Sequence, residues 1–278
     1  MPDRPKPSPA TSTVLPAFDI EYSSAVDTGR ARSNNEDAVL VDEALSLCVL
    51  ADGMGGYNAG EIASDMTVRG VRDQLARWRS DQGTGHTEAT LRQGMSAAAQ
   101  SANLAVFEAA QQHPEYAGMG TTLVLAMFEG QQVWIGHIGD SRAYRWRDGR
   151  LEQLTRDHSL LQEQIDAGVL TPEEAAYSLH RNLVTRAVGV EPDVVLEVHA
   201  HEMRVGDCLL LCSDGLSDML PDAGIAQVMR AHDTLSGASQ ALVEAANAAG
   251  GRDNIAVILA RAKGGTPPAS RIWWPFKR

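Results

Sequence analysis

The stretch TLVLAMFEGQQVWIGHIGDSRAYRWR, residues 122–147, decides the fold. It holds three apolar segments, Thr122–Glu129, Gln132–Gly139 and Arg142–Arg147, linked by Gly130-Gln131 and by Asp140-Ser141. Each is rich in aliphatic and aromatic residues and too short for a helix, so each reads as a strand. Parallel neighbours need a crossover of a dozen residues or more, which these links cannot supply. An antiparallel three-stranded meander is therefore expected. Asp148-Gly149 is a hairpin turn signal and leads into a fourth strand, Arg150–Thr155.

Working outward, strands are expected at about 18–26, 38–42 and 45–51. A helix follows from Ala59 to Trp78, with Ile62, Met66, Val71, Leu75 and Trp78 forming an apolar stripe. Gly83 to Gly85 mark a loop. A second helix, rich in alanine, runs from Glu88 to Gln112 and stops before Pro114. Beyond 155 the pattern turns polar. Ser159–Ala167 reads as a short helix, and Thr171-Pro172-Glu173-Glu174 as a helix start with proline in its first turn. Strands return at about 194–201 and 207–213, helices at 222–231 and 235–248, and a last strand at 253–261. No internal repeat is present. Strands cluster with strands and helices come in pairs, which favours antiparallel sheets covered by helices over a doubly wound parallel sheet.

The 278 residues suffice for one large domain with a sizeable core. Residues 1–18 carry +1 and residues 261–278 carry +5, so of the net charge of −12 the body between them holds −18. Such a body repels nucleic acid and suits a site that holds cations. No apolar run approaches the roughly 18 residues that span a bilayer, and the Pro-rich start lacks the apolar core of a signal peptide. A cytoplasmic protein without a transmembrane segment is expected. Cys48, Cys208 and Cys212 are odd in number and have apolar neighbours, so they read as buried reduced thiols rather than a zinc site. Residues 1–17 read as a disordered leader. Residues 263–278 read as a basic, tryptophan-containing tail that packs on its own domain, docks a partner or touches an anionic membrane surface.

Chemistry enters through aspartates. Asp52, Asp140 and Asp214 each end an apolar run beside a glycine, and Asp253 lies just before the run Ile255–Ala260. Strand ends are held in place, so four such carboxylates can converge, and hard divalent cations favour clusters of oxygen ligands. Taken singly, each reads equally as a turn residue; the conjunction is the signal. Asp218 lies four residues beyond Asp214, on the same face if a helix begins there. Gly53, in Asp52-Gly53-Met54-Gly55-Gly56, lets backbone approach a ligand and offers a free carbonyl. Upstream, Glu36 and Asp37 could add oxygens, and Arg32 could grip two phosphate oxygens, although the stretch also reads as a solvated polar loop.

The ordered set Arg32-x-x-Asn35-Glu36-Asp37, Asp52-Gly53-Met54-Gly55-Gly56, Gly120-Thr121-Thr122, Gly139-Asp140-Ser141-Arg142, Ser213-Asp214-Gly215-x-x-Asp218 and Asp253-Asn254 resembles the metal-dependent protein phosphatases of type 2C in their compact bacterial form. The resemblance implies an α+β fold over 18–262, a four-layer α-β-β-α sandwich of two antiparallel sheets flanked by helix pairs. It makes the insert at about 156–190 a flap beside the active site. By position, Asp52 would bridge two Mg²⁺ or Mn²⁺ ions. The carbonyl of Gly53 would bind one ion with Glu36 nearby, Asp214 and Asp253 would hold the other, and Asp140 with Asp218 and Asp214 would form a third, weaker site. Arg32 would bind the phosphoryl group and Asp37 would orient the attacking water. A hydroxide shared by two metals would then attack phosphoserine or phosphothreonine directly, without a phosphoenzyme. Phosphorylated proteins and a bacterial Ser/Thr kinase are the implied partners of a monomeric enzyme.

Met54 stands where many eukaryotic relatives have a histidine proposed as general acid, and methionine cannot donate a proton. His158 is one candidate for that duty, against a structural or solvent role; His137, inside a strand, reads as a packed or hydrogen-bonded residue. Two other functions compete with the protein phosphatase. A phosphoprotein-binding module without turnover is disfavoured by the complete acidic set. A hydrolase of small phosphoesters is disfavoured by the insert and the motifs.

Overall fold

Successive residues of Leu47-Cys48-Val49-Leu50 enter different cores: Leu47 and Val49 pack toward helices, Cys48 and Leu50 toward a second sheet. That alternation is the two-residue period of a strand, and because both faces are covered the strand reads as continuously apolar. The molecule is a computed structural model that describes residues 18–56, 59–82, 86–171, 174 and 183–264. The expected leader, the Gly83–Gly85 loop and nearly all of the basic aromatic tail lie outside the described residues.

One sheet contains β1 (Phe18–Asp27), β7 (Arg142–Arg147), β8 (Arg150–Gln153), β10 (Cys208–Cys212) and β11 (Ile255–Gly264), in the order β1-β11-β10-β7-β8. The other contains β2 (Asp37–Asp42), β3 (Leu47–Met54), β5 (Leu123–Glu129), β6 (Gln132–Ile138) and β9 (Glu197–Glu202), in the order β2-β3-β5-β6-β9, with the short β4 (Gly120–Thr121) on β3. Every ladder is antiparallel. Helices α1 (Ala59–Gln82) and α2 (Glu88–Gln112) cover the β3–β5 sheet; α3 (Leu160–Asp166) lies in the insert. Beyond β10 come α4 (Asp214–Ser217), α5 (Asp222–Ala231) and α6 (Leu235–Ala248), the last two covering the β10–β11 sheet. The four layers thus enclose three apolar cores, two between sheet and helices and one between the sheets.

Local chemistry sets the helix limits. Thr87 caps α2 reciprocally with Thr90, and Pro114 opens a 3₁₀ turn directly after it. Helix α1 runs one turn past Trp78, and its buried face is led by Ala59, Ala63, Val71 and Leu75, with Ile62, Met66 and Trp78 only partly covered. Thr171 and Glu174 make the mutual bonds of a capping box, as a helix start there requires. The cysteines are buried and free. Among the described residues no helix is long and apolar enough to cross a membrane.

The expected meander is broken after its second strand. β5 and β6 pair, but β7 joins β10 and β8 in the opposite sheet. Packed sheets lie about 10 Å apart, so a link of two or three residues can cross between them as readily as it can turn a hairpin. Gly139, at φ +100, makes the crossing, and a Cβ on it would lie 2.7 Å from the Thr122 methyl group. The arriving strand is stitched to the segment after β8. Ala143 N–H donates to Thr155 Oγ1 (3.0 Å), Leu154 N–H donates to Ala143 O (2.8 Å), and the Arg142 guanidinium contacts both oxygens of Asp157. The substitution Gly139→Ala combines left-handed strain with a steric clash and should lower stability by about 1–3 kcal/mol. A thermal melt of the variant reads this directly, and an unchanged midpoint would contradict the crossing geometry.

Candidate metal centre

The sandwich leaves a cleft of about 190 Å³ lined by Arg32, Glu36, Asp52, Gly53, Asp140, Asp214 and Asp253, with Met54, Gly55, Thr122 and Val184 completing the wall. Seven of the nine residues singled out in the sequence therefore meet in one place. Asp37 sits directly behind the wall, opposite Asp52 in the β2–β3 ladder. Asp218 ends α4, its N–H donating to Asp214 O (2.7 Å), and its charge acts on both Asp140 and Asp214.

Backbone pairing explains the placement. β3 runs three residues beyond its expected end because Gly53 and Met54 pair with β4, so Asp52 lies within the strand rather than at its tip. Thr121 Oγ1 donates to Asp52 O (2.8 Å), and Asp52 N–H donates to Thr122 Oγ1 (3.0 Å). Gly53 N–H donates to Glu36 O (3.1 Å), and a Cβ at Gly53 would lie 2.1 Å from Gly60 O, so no larger residue fits. Asn254 gathers the remaining loop: its amide donates to Thr28 O and Asn34 O, both at 2.9 Å, and its Oδ1 accepts from Glu36 N–H at 2.8 Å. Ser213 Oγ donates to Asp37 Oδ2 (2.8 Å). Ser213 and Asn254 adjoin acids in the motif set and Thr121-Thr122 belong to a motif of their own, but nothing in the sequence signalled the structural duty of any of them.

The acids raise one another's proton affinity. Desolvation, and then the charges of Asp37, Asp214, Asp140 and Asp253, push Asp52 well above the usual carboxylate range. Desolvation likewise leads for Asp214, followed by Asp140 and Asp218. Asp37 is pushed up to about 7, chiefly by desolvation and against the Ser213 hydrogen bond; Asp140 is pushed up to about 6 by desolvation and then by Asp157. Asp37 Oδ1 is sealed from solvent without a hydrogen-bond partner. An orphaned oxygen amid mutually repelling carboxylates fits a divalent cation, which would supply the missing positive charge. Arg32 provides the nearby positive side chain: it is half-exposed and bonded to Asp253 Oδ2 at 2.7 Å.

His158 does not line this cleft. It is 6% exposed, and both ring nitrogens are engaged, Nδ1 by Gly139 N–H and Nε2 by Glu197. Proton donation to a leaving group has no geometric support there, and the structural reading of this histidine prevails. His137 is likewise buried, bonded through Nε2 to Arg156 O at 2.8 Å. Beside the cleft, and sharing Met54 and Val184 with it, runs a wider groove of about 610 Å³ bordered by Leu183, Arg186, Val190 and Val195.

A family model described as protein phosphatase 2C matches residues 29–250. The chain is 39% identical over 244 residues to the serine/threonine protein phosphatase PstP of Mycobacterium tuberculosis; the match covers 87% of this chain but 45% of that protein. It is 36% identical over 236 residues to the serine/threonine phosphatase stp of Listeria innocua, covering 84% of this chain and 92% of that one. A crystal structure of the PstP catalytic domain with two manganese ions superposes with a TM-score of 0.75 at 36% identity, covering 88% of this chain and 98% of that one. The two antiparallel sheets with their covering helices are thus shared with these phosphatases, and the chain belongs to the protein phosphatase 2C family.

Proposed function

We propose that this chain is a metal-dependent protein phosphatase that hydrolyses phosphoserine and phosphothreonine and opposes a Ser/Thr kinase. The observation that carries the reading is the convergence of Asp52, Asp140, Asp214 and Asp253 on one cleft, with Asp37 behind it. In this reading Asp52, the Gly53 carbonyl, Glu36, Asp214 and Asp253 hold two divalent cations, the number bound in the manganese complex of the relative. Asp140 and Asp218 hold a third, weaker one. Bound Mn²⁺ or Mg²⁺ supplies a water of lowered pKa and charge neutralisation at phosphorus.

The protein's own groups do the rest. Arg32 stands half-exposed at the cleft and gives its guanidinium to the phosphoryl oxygens. In this reading Asp37, held by Ser213 and opposite Asp52 in the β2–β3 ladder, orients the attacking water. Val184 and Met54 wall the cleft with apolar surface, which strengthens the electrostatic interactions inside it. Residues flanking the phosphorylated side chain run along the adjoining groove, whose exposed valines and leucine would otherwise face water. The acidic body and buried free thiols suit action in the cytoplasm as a monomer on phosphorylated proteins.

Hydrolysis of a phosphothreonine peptide with Mn²⁺ tests the assignment. EDTA should abolish turnover, and Asp52→Ala should reduce it by about 10²- to 10³-fold or more. Metal-independent turnover, or full activity in the variant, would sink the mechanism. Calorimetric titration separates the two kinds of acid: Asp140→Ala should still bind two Mn²⁺ ions, whereas Asp52→Ala should lose the pair.

The acids also predict a pH signature that needs no substrate. Asp37 and Asp140 have folded-state values of about 7 and about 6 against an ordinary 3.8. Between these values the folded, metal-free protein holds protons that the unfolded chain has released, so stability falls as pH rises from about 4 to about 7. The thermal midpoint in EDTA should therefore drop between about pH 5 and pH 7.5. Added Mn²⁺ should raise it more at the higher pH, because the metal binds the deprotonated carboxylates. A metal-free midpoint that rises with pH over this window would contradict the assignment.

A further inference from the structure

Where the insert leaves the body, residues 158–160 lie against residues 183–185. Leu160 N–H donates to Leu183 O (2.9 Å), Thr185 N–H donates to His158 O (2.8 Å), and Ser159 bridges Val184. This two-stranded neck carries Val184 into the cleft wall. At its root is His158. Its N–H donates to Gly139 O (2.9 Å), and its Nδ1 accepts from Gly139 N–H (3.2 Å). The residue therefore clips both polar groups of the glycine at which the chain crosses between sheets, directly before Asp140.

The hydrogen bonds fix the tautomer. An Nδ1 that accepts from a peptide N–H carries no proton, so in the neutral ring the proton is on Nε2, which donates to Glu197 Oε2 at 3.2 Å. The ring stacks on His137 at 4.5 Å, and Arg186 Nη1 approaches Nε2 at 3.5 Å. Desolvation lowers the proton affinity of both imidazoles, in keeping with neutral rings. His137, His158 and Glu197 do offer ligand atoms within 4.8 Å of one another. A metal on Nε2 would require a proton on Nδ1, directly opposing the Gly139 N–H, and it would face the Arg186 cation.

We propose that His158 is a positioning residue whose imidazole ties the neck of the insert, and with it the Val184 wall, to the Gly139–Asp140 crossing. The backbone bonds of the neck, and that from His158 N–H to Gly139 O, remain in any variant; the ring adds a second bond to the crossing and a bond to Glu197 of β9. Asparagine can replace one of them, because its Oδ1 stands close to the place of Nδ1; alanine and leucine replace neither. The functional consequence rests on the phosphatase reading, whereas the structural one does not.

Hydrogen exchange of the full chain in EDTA and in Mn²⁺ tests the structural half. In His158→Ala and His158→Leu, peptides spanning 158–160 and 183–185 should exchange about tenfold to a hundredfold faster, the expected loss of two buried hydrogen bonds. His158→Asn should recover most of that protection, and Glu197→Ala, at a partly exposed site, should show a smaller loss and decides the matter if the alanine variant does not fold. In the same variants KM for a phosphothreonine peptide should rise about threefold to tenfold, while kcat for p-nitrophenyl phosphate changes less. Unchanged exchange in both His158→Ala and Glu197→Ala overturns the proposal, as does an asparagine variant as loose as alanine. Stoichiometric Zn²⁺ binding that His158→Ala abolishes also overturns it, in favour of a metal site. Faster exchange in a chain without phosphatase activity would uphold the positioning role and count against the function alone.

Discussion

Carboxylates held together against their own repulsion set the terms for this structure. Asp37, Asp52, Asp140, Asp214 and Asp253 are anchored at one end of a sandwich, and the other four all raise the proton affinity of Asp52. A flexible loop would relieve such strain by letting the side chains swing into water. Strands locked on both faces do not yield, because moving one means opening a core in which Leu50, Val124, Leu211 and Ile258 are all buried. Apolar burial thus holds the acids in place, and in the proposed metal centre the cost of their approach would reappear as affinity for cations.

Much of this was legible in the sequence because the relevant signals are local and periodic. Runs such as Leu209–Cys212 and Ile255–Ala260 are apolar at every position, which in short segments marks strands covered on both faces. Aspartates at the ends of those runs gave four of the residues that line the cleft, Asp52, Asp140, Asp214 and Asp253; Gly53 followed from its neighbour, and Arg32 and Glu36 from the polar stretch upstream. Asp37 and Asp218 were also recognised, yet their places behind and beside the wall depend on register and on a helix four residues long.

What stayed hidden was long-range. Gly139-Asp140-Ser141 has the composition of a hairpin turn, and nothing local distinguishes a turn within a sheet from a passage between sheets. The distinction depends on Thr155, Asp157 and His158, which grip the crossing from later in the chain. Asn254 is similar: an asparagine after an aspartate looks like a turn, but its side chain reaches Thr28, Asn34 and Glu36, more than two hundred residues earlier. Ser and Thr are too common for their hydroxyl bonds to Asp37 and Asp52 to be foreseen. The sequence therefore revealed which side chains bear charge more readily than which ones hold them.

The ladder joining β1 to β11 pairs Phe18–Asp27 with Ile255–Gly264 over ten residues, and among the described residues β11 is the only strand neighbour of β1 in its sheet. During synthesis β1 must therefore wait for β11, the last of the described strands. Sheet β2-β3-β5-β6-β9 has all its strands by Glu202, whereas the other sheet lacks its central β11 until residue 264. Asp253 and Asn254 arrive with that final strand. Until then the nascent chain carries an acidic cluster one member short and without its organising amide, so the proposed cation site would be complete only when β1 and β11 are zipped together.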